Sequence, residues 1–483
     1  MYQNETLYIG GRWTSPNAPD ILEVISPHTG EIVGRVAAAG AADVDSAVQA
    51  ARKALVEGPW PQLDPTERIA AINRLSEVYA AQRAEMAEII SAEMGAPITF
   101  ARRAQVRLPM ALMTASCQAA ANFPWCEDRP GFYGNMIRIN RQPVGVVAAV
   151  VPWNMPQFLT IGKVIPALLA GCTVVLKPAP ESPLDALLLA EIIDQAQLPV
   201  GVFSVLPGDA SLGQALVGHP DVDKVSFTGS TAAGRQVAAT AAQNLTPASL
   251  ELGGKSAAII LDDADPADTA AAIRAASMAN SGQVCNALTR VLVPHNVAER
   301  HIAALIAELD GLVVGDPADP STDIGPLVTQ RQQTRVLEYI HSGTQEGARL
   351  VTGGPDMPGG LDRGWYVRPT LFCEAHNRMR IARDEIFGPV LTVITYRDED
   401  DAVSIANDSE YGLAGAVFTT DPDHGHAVAT KIRSGSFGVN EGYIMDPWAP
   451  FGGVKNSGYG RELGTEGIAG YTLTQSVSTS VRS

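Results

Sequence analysis

The sequence predicts an α/β chain whose strands lie in parallel sheets covered on both faces. Three observations carry that expectation. From residue 144 onward, short apolar runs alternate with helix-length segments. Runs such as "VGVVAAVV" are apolar at every position, as strands buried on both faces are. And 483 residues exceed what one core ordinarily serves, so two or three domains are expected.

The elements follow in order. Asp64 suits a helix N-cap, Pro65 the first helical position, and Glu67 completes a capping box. Ile72, Leu75, Tyr79, Met86 and Ile90 then recur at helical spacing, which predicts a packing helix over 64–96 without chemistry of its own. "VGVVAAVV" is a strand, followed by helix "PQFLTIGKVIPALLA", strand "CTVVL", helix "LDALLLAEIIDQA", strand "FSVL", helix "SLGQALVG", strand "KVSF" and helix "AAGRQVAATAAQ". Ligands of such sheets bind beyond the carboxyl ends of the strands. "PWN", "KPAPESP" and "TGS" lie there. A second alternating region runs from "SAAIIL" to about 440, with strands "RVLV", "TLF", "VLTVITY" and "GAVF". The tail "AGYTLTQSVSTSV" reads either as an edge strand pairing with another subunit or as a frayed end.

Composition excludes several classes. The chain is 46% hydrophobic and 18% charged, with a formal net charge of -17. Nucleic-acid binding needs a basic footprint, so none is expected. "MYQNETLYIGGRW" has no basic region followed by an apolar run, and no stretch of about 18 apolar residues occurs, so neither a secretory signal nor a membrane span is expected. Cys117, Cys126, Cys172, Cys285 and Cys373 are scattered, odd in number and without a C-x-x-C pair. That weakens a disulfide framework and a zinc site; no metal is expected, and a reducing cytoplasm fits.

Common nucleotide and hydrolase motifs fail. No G-x-G-x-x-G follows a candidate strand. "ELGGKS" lacks the first glycine of a phosphate loop, since Ser249 stands there. The elbow G-x-S-x-G is absent too. Four other pieces carry chemistry. Asn154 in "VVPWN" has an amide that can donate to a developing oxyanion, or it is a turn asparagine. Glu251 in "ELGGK" is a general base if its setting is apolar, or a surface ion-pair residue. Cys285 in "GQVC" is a nucleophile if a polar pocket or helix terminus lowers its pKa from ~8.5, or an inert core thiol. In "DEIFGPV", Glu385 can bind vicinal hydroxyls and Phe387 can pack on a flat ring, or they are a helix end and a core phenylalanine.

Together with "LKPAPESP", "FTGSTAAGR" and "PFGGVKNSGYGRELG", these pieces resemble the aldehyde dehydrogenase superfamily, in its order and spacing and over essentially the whole chain. The resemblance implies a variant Rossmann cofactor domain (1–121 and 144–253), an α/β catalytic domain (254–452) and small β oligomerisation segments (122–143 and 453–483). It implies that Cys285 attacks an aldehyde, Asn154 and the Cys285 N–H hold the oxyanion, and Glu251 activates water on the thioester. Lys177 would contact the adenosine ribose, and Gly229 and Ser230 the pyrophosphate at a helix N-terminus. Glu385 would bind the nicotinamide ribose, Phe387 would steady the nicotinamide, and Leu252 would lie near its carboxamide. Val151, Pro152, Trp153, Pro180, Gly213, Phe227 and Thr228 complete the implied cofactor set. Met155, Phe158, Gly162, Asn286, Tyr443, Met445 and Phe451 would line the substrate tunnel, with Trp448 near it.

One departure bears on the cofactor. NAD-preferring members often carry Glu three residues after the lysine; here Pro180 stands there and the acid is Glu181. NAD is the default expectation, and Pro180 also admits NADP. The largely apolar tunnel set favours a medium-sized hydrophobic aldehyde (aliphatic, terpenoid or aromatic), and the presence of Glu251 favours hydrolysis over acyl transfer to coenzyme A. A homodimer or homotetramer is implied. Two other readings stand beside this one: a cofactor-independent cysteine esterase or amidase, and a catalytically silent structural relative.

Overall fold

The structure is a computed structural model in which residues 1–442 and 445–480 are described. Its first sheet has eight strands, in the order Gly458–Tyr459, Ala248–Glu251, Lys224–Thr228, Val146–Val150, Thr173–Lys177, Phe203–Val205, Leu7–Ile9 and Arg12–Thr14. The five from Ala248–Glu251 to Phe203–Val205 are parallel, and antiparallel strands close both ends. From Val146–Val150 the chain crosses to Thr173–Lys177 on one side and later to Lys224–Thr228 on the other. That reversal makes a switch point at the carboxyl end of Val146–Val150.

The continuous apolar runs have a direct packing cause. Val147, Ala149, Val174 and Leu176 enter one core with helices Pro65–Met94, Arg107–Ala121, Pro156–Leu169 and Leu184–Gln195. Their neighbours Val146, Ala148 and Val175 enter another, with Ala41–Glu57 and Ala210–Val217. Each strand is therefore buried on both faces. The helix expected over 64–96 spans Pro65–Met94. Asp64 Oδ1 accepts from Thr66 N at 2.9 Å, and Glu67 Oε2 from Asp64 N at 2.8 Å. It ends at Gly95, whose φ of +82° and contact with Pro27 and Pro326 leave no room for a side chain.

The second sheet runs Arg349–Thr352, Thr370–Cys373, Val390–Tyr396, Arg290–Pro294, Ala257–Ile260, Gly415–Phe418, Gly438–Val439. All but the first are parallel to their neighbours. Helices Gln330–Gln345 and Glu399–Asn407 cover one face, Pro266–Ser277 and Ala298–Asp310 the other.

The tail forms the strand Thr472–Thr479, antiparallel to Met136–Pro143, which also pairs with Cys126–Pro130. The tail is thus paired within its own chain, and most of its residues are exposed. A fourth sheet joins Tyr2–Asn4, Ile32–Ala37 and Ile21–Ile25. Among the described residues, no helix is long and apolar enough to cross a membrane.

Candidate active site

The first sheet offers its carboxyl edge. Asn154 follows the strand Val146–Val150 and is 3% exposed. Its carbonyl accepts from Gln105 Nε2 at 2.9 Å and from Asn280 Nδ2 at 2.8 Å. Its own Nδ2 donates to the Gln283 carbonyl at 3.0 Å. An amide nitrogen carries two hydrogens, so one donor remains for a ligand. Thr228 ends the next strand, and Gly229 and Ser230 lead into the helix Thr231–Gln243. Ser230 caps that helix through Ala233 N. Glu251 closes the strand Ala248–Glu251, a strand too short and too polar to stand out in the sequence.

Glu251 is 3% exposed, and neither of its carboxylate oxygens has a hydrogen-bond partner among the described residues. Burial pushes its pKa well above the carboxylate range, and the charge of Glu462 adds to that; Lys163 and Arg461 oppose it. Lys163 is ion-paired with Glu462 in the same buried region. Neither residue was singled out from the sequence. The available signal was a lysine inside the apolar helix "PQFLTIGKVIPALL".

The second sheet offers its amino edge. Cys285 lies before the strand Arg290–Pro294, on a loop where Asn280, Ser281 and Gly282 have φ of 53°, 59° and 74°. Left-handed backbone costs of order 1 kcal/mol or more at each non-glycine residue. Side chains hold the loop: Ser281 Oγ donates to the Gly325 carbonyl at 2.9 Å, and Gln283 Oε1 accepts from Val328 N at 3.0 Å. At Gly282 a Cβ would collide with the Gly388 backbone. Glu385 and Phe387 lie before Val390–Tyr396. Glu385 Oε1 accepts from Gly254 N at 3.0 Å. Burial lifts its pKa to about 7, against that hydrogen bond and the charges of Arg335 and Lys255. Phe387 has φ of 64° and meets Trp153 edge-on at 5.5 Å.

The Cys285 thiol departs from the sequence expectation. Its pKa is pushed up to about 12 by burial first, then by the charges of Glu385 and Glu251. Backbone N–H groups oppose this too weakly to reverse it. The surroundings that lower a thiol, a cation or a helix N-terminus, do not dominate here.

The two edges enclose a cavity of about 960 Å³. Of the residues expected at the site, Pro152, Trp153, Asn154, Thr228, Gly229, Ser230, Leu252, Cys285, Glu385 and Phe387 line it. Val151 and Phe227 are buried beneath the wall, the Phe227 ring lying under Gly229. Glu251 is buried out of the lining but close enough to raise the thiol. Lys177 and Gly213 pack together elsewhere, 3.3 Å separating Lys177 Cδ from the place of a Gly213 Cβ, and Pro180 is likewise off the wall. Met155, Phe158, Met445 and Phe451 are buried in the first core. Gly162 is buried near Leu112 and Leu463, Asn286 is half-buried, and Trp448 is exposed. Tyr443 lies outside the described residues. Sequence reasoning missed the opposite wall: Gln330, Arg331, Gln332, Thr334, Arg335 and Glu338 of the helix Gln330–Gln345. Gln332 Nε2 donates to the Phe387 carbonyl at 2.9 Å, which helps hold its left-handed backbone.

Residues of this cavity fit a dinucleotide. Thr228 Oγ1 is buried without a partner among the described residues and lies beside the glycine and serine that open a helix N-terminus. Glu385 offers a carboxyl across the cavity, and the Trp153–Phe387 pair offers ring surface.

Comparisons with known proteins agree with this geometry. Residues 13–477 match the model of the Aldehyde dehydrogenase family. A geranial dehydrogenase of Castellaniella defragrans is 43% identical over 474 residues, which are 98% of each chain. A Mycobacterium tuberculosis aldehyde dehydrogenase solved in complex with NAD+ is 48% identical, with a TM-score of 0.97 over 99% of this chain and 98% of that one. A mutant aldehyde dehydrogenase C from Pseudomonas syringae, solved with NAD+ and octanal, is 42% identical, with a TM-score of 0.95 over 98% and 96% of the two chains. The chain belongs to the aldehyde dehydrogenase family.

Proposed function

We propose that this family member oxidises a medium-sized hydrophobic aldehyde to its carboxylate with NAD. One observation carries the reading: a thiol and an amide donor line one cavity, and a buried carboxylate lies near enough to raise the thiol's pKa. The names of the relatives support the substrate class, since one is a geranial dehydrogenase and another was solved with octanal.

Cys285 Sγ bonds to the aldehyde carbon as its thiol proton leaves. That proton passes to solvent in the cavity, and Glu251, whose burial gives it a high proton affinity, serves the later water. The free hydrogen of Asn154 Nδ2 and the backbone N–H of Cys285 receive the oxyanion. NAD, when bound, supplies the acceptor for the hydride that this adduct loses. Gly229 and Ser230 hold its pyrophosphate, and Glu385 a ribose. Water then attacks the thioester on Cys285; Glu251 takes the proton, and the carboxylate departs. The apolar residues Met155, Phe158, Met445 and Phe451, buried in the first core, with Gly162 and Asn286, back the part of the cavity that takes the aldehyde's chain.

The same proposal divides the chain into 1–121 with 144–253 for the cofactor, 254–452 for catalysis, and 122–143 with 453–483 for assembly. The exposed three-stranded sheet is the surface through which a homodimer or homotetramer forms, and a reducing cytoplasm accords with five free thiols.

An aldehyde panel run with NAD+ and NADP+ tests the function. The highest kcat/KM belongs to apolar aldehydes of intermediate length, above small acidic semialdehydes. Dominant ester hydrolysis without any nucleotide, or no reduced nucleotide from any aldehyde, contradicts it.

A further inference from the structure

Gln105 is a fully buried amide that none of the catalytic steps uses. It ends the segment Ala101–Gln105, where one π turn interrupts the helical chain between Ile98–Phe100 and Arg107–Ala121. Val106 N donates there to the Ala101 carbonyl, five residues back, at 3.2 Å. Single π turns of this kind cluster at functional sites. Gln105 Nε2 donates to the Asn154 carbonyl at 2.9 Å and lies 3.9 Å from Met94 Sδ. A carbonyl oxygen has two lone pairs, and at Asn154 the second is taken by Asn280 Nδ2 at 2.8 Å. Both amides make this bond at a cost. Each leaves its own oxygen, Gln105 Oε1 and Asn280 Oδ1, buried without a hydrogen-bond partner among the described residues. Flipping either amide would set oxygen against oxygen. An apolar side chain would fill the place of Gln105 without an unpaired oxygen, so bulk alone does not account for an amide there. The ties also differ in origin. Asn280 belongs to the loop that carries Cys285, and so does Gln283, whose carbonyl accepts from Asn154 Nδ2 at 3.0 Å. Gln105 instead fastens Asn154 to the first core, which holds Met94, Ala101 and Val106.

We propose that Gln105 is a positioning residue for the oxyanion donor, a role that rests on the reading of Asn154 as that donor. Gln105 holds the Asn154 backbone in place against the Cys285 loop. The free hydrogen of Asn154 Nδ2 is thereby aimed at the oxygen of the adduct on Cys285. Gln105 itself is off the cavity wall and binds neither aldehyde nor nucleotide, so its loss is felt in rate and not in affinity. Misplacing a reacting group by about 1 Å can cost roughly 100-fold. With Asn280 still bonded to the same carbonyl, losing Gln105 alone costs less than that.

The test places Gln105→Met, which keeps the volume and cannot donate, in the wild-type and Asn154→Ala backgrounds of the full chain. The readout is the first-turnover rate of reduced nucleotide from octanal and NAD+. In the wild-type background that rate falls about tenfold, while the octanal KM and the NAD+ Kd move less than about twofold. In the Asn154→Ala background the same change moves the rate less than about twofold, because the donor that Gln105 aims is already gone. An equal fall in both backgrounds overturns the proposal, and so does an unchanged rate in Gln105→Met protein that binds NAD+. A shift in KM or Kd without a fall in rate does the same. Asn154→Ala protein that oxidises octanal at the wild-type rate overturns the oxyanion reading itself, and the proposal with it. Gln105→Glu decides the matter where Gln105→Met does not fold. A carboxyl buried there donates while protonated and repels the Asn154 carbonyl once ionised, so its rate relative to wild type falls as pH rises. A ratio flat across pH overturns the proposal.

Discussion

The two parallel sheets face the cavity with opposite ends. The first supplies Asn154, Thr228 to Ser230, and Glu251 from the carboxyl ends of its strands. The second supplies Cys285, Glu385 and Phe387 from loops that enter its strands at the amino ends. The difference appears in the backbone. The carboxyl-edge groups need no left-handed non-glycine residue, whereas Asn280, Ser281 and Phe387 all have positive φ. At a carboxyl edge, backbone N–H groups and helix N-termini already point toward the ligand. At an amino edge the chain must turn sharply to aim a side chain there, and hydrogen bonds to neighbouring segments hold that strain.

Removing the group that the strained edge exists to present has the largest effect. Cys285→Ala abolishes aldehyde oxidation while NAD+ binding by titration persists; residual oxidation in that variant breaks the comparison at its root. Removing the principal donor of the other edge comes next. Asn154→Ala lowers kcat by roughly 100- to 1,000-fold, measured in steady state with KM little changed. Gly282→Ala sharpens the contrast, because it changes backbone geometry and no reacting group. The added Cβ meets the Gly388 backbone and displaces Cys285, so kcat/KM falls by about 100-fold, and the strain also lowers the melting temperature.

The smallest effect lies beneath the carboxyl edge. Asp185 and Glu93 are buried together, and Gln157 Nε2 donates to Asp185 Oδ2 at 2.6 Å. Burial raises Asp185 to about 6, and burial with the charge of Asp185 raises Glu93 well above the usual carboxylate range. Both folded values exceed the unfolded ones, so the folded state binds more protons and stability is lost as pH rises above the unfolded carboxylate range through about 6 and beyond. Asp185→Asn removes one ionisation, so its melting temperature gains on wild type between pH 5 and pH 8. A gap between the two that does not change with pH contradicts the shared burial.

What was legible in the sequence follows the same division. The first sheet's strands were visible because each is apolar on both faces, and the rule placing ligands at carboxyl ends located Asn154 and Gly229 without further information. No such rule locates Cys285, Glu385 or Phe387, whose residue chemistry left a functional and a structural reading open until the motif resemblance. The strand Ala248–Glu251 was not visible, since "ASLE" is short and half polar. The wall formed by Gln330 to Glu338 was also hidden. A polar, amphipathic helix face looks the same in sequence whether it meets solvent or a cleft. The thiol's high pKa was missed because it depends first on burial and then on Glu385 and Glu251, far from Cys285 along the chain and near it in the fold.

The division of labour between Cys285 and Glu251 is tested most directly by intact-mass analysis of the Glu251→Gln protein mixed with NAD+ and octanal. A stoichiometric burst of reduced nucleotide and a stable octanoyl adduct on the peptide containing Cys285 are predicted. Wild-type hydrolysis, by contrast, should quicken as pH rises and Glu251 ionises. Steady turnover at the wild-type rate, or an adduct on any other residue, would contradict the account.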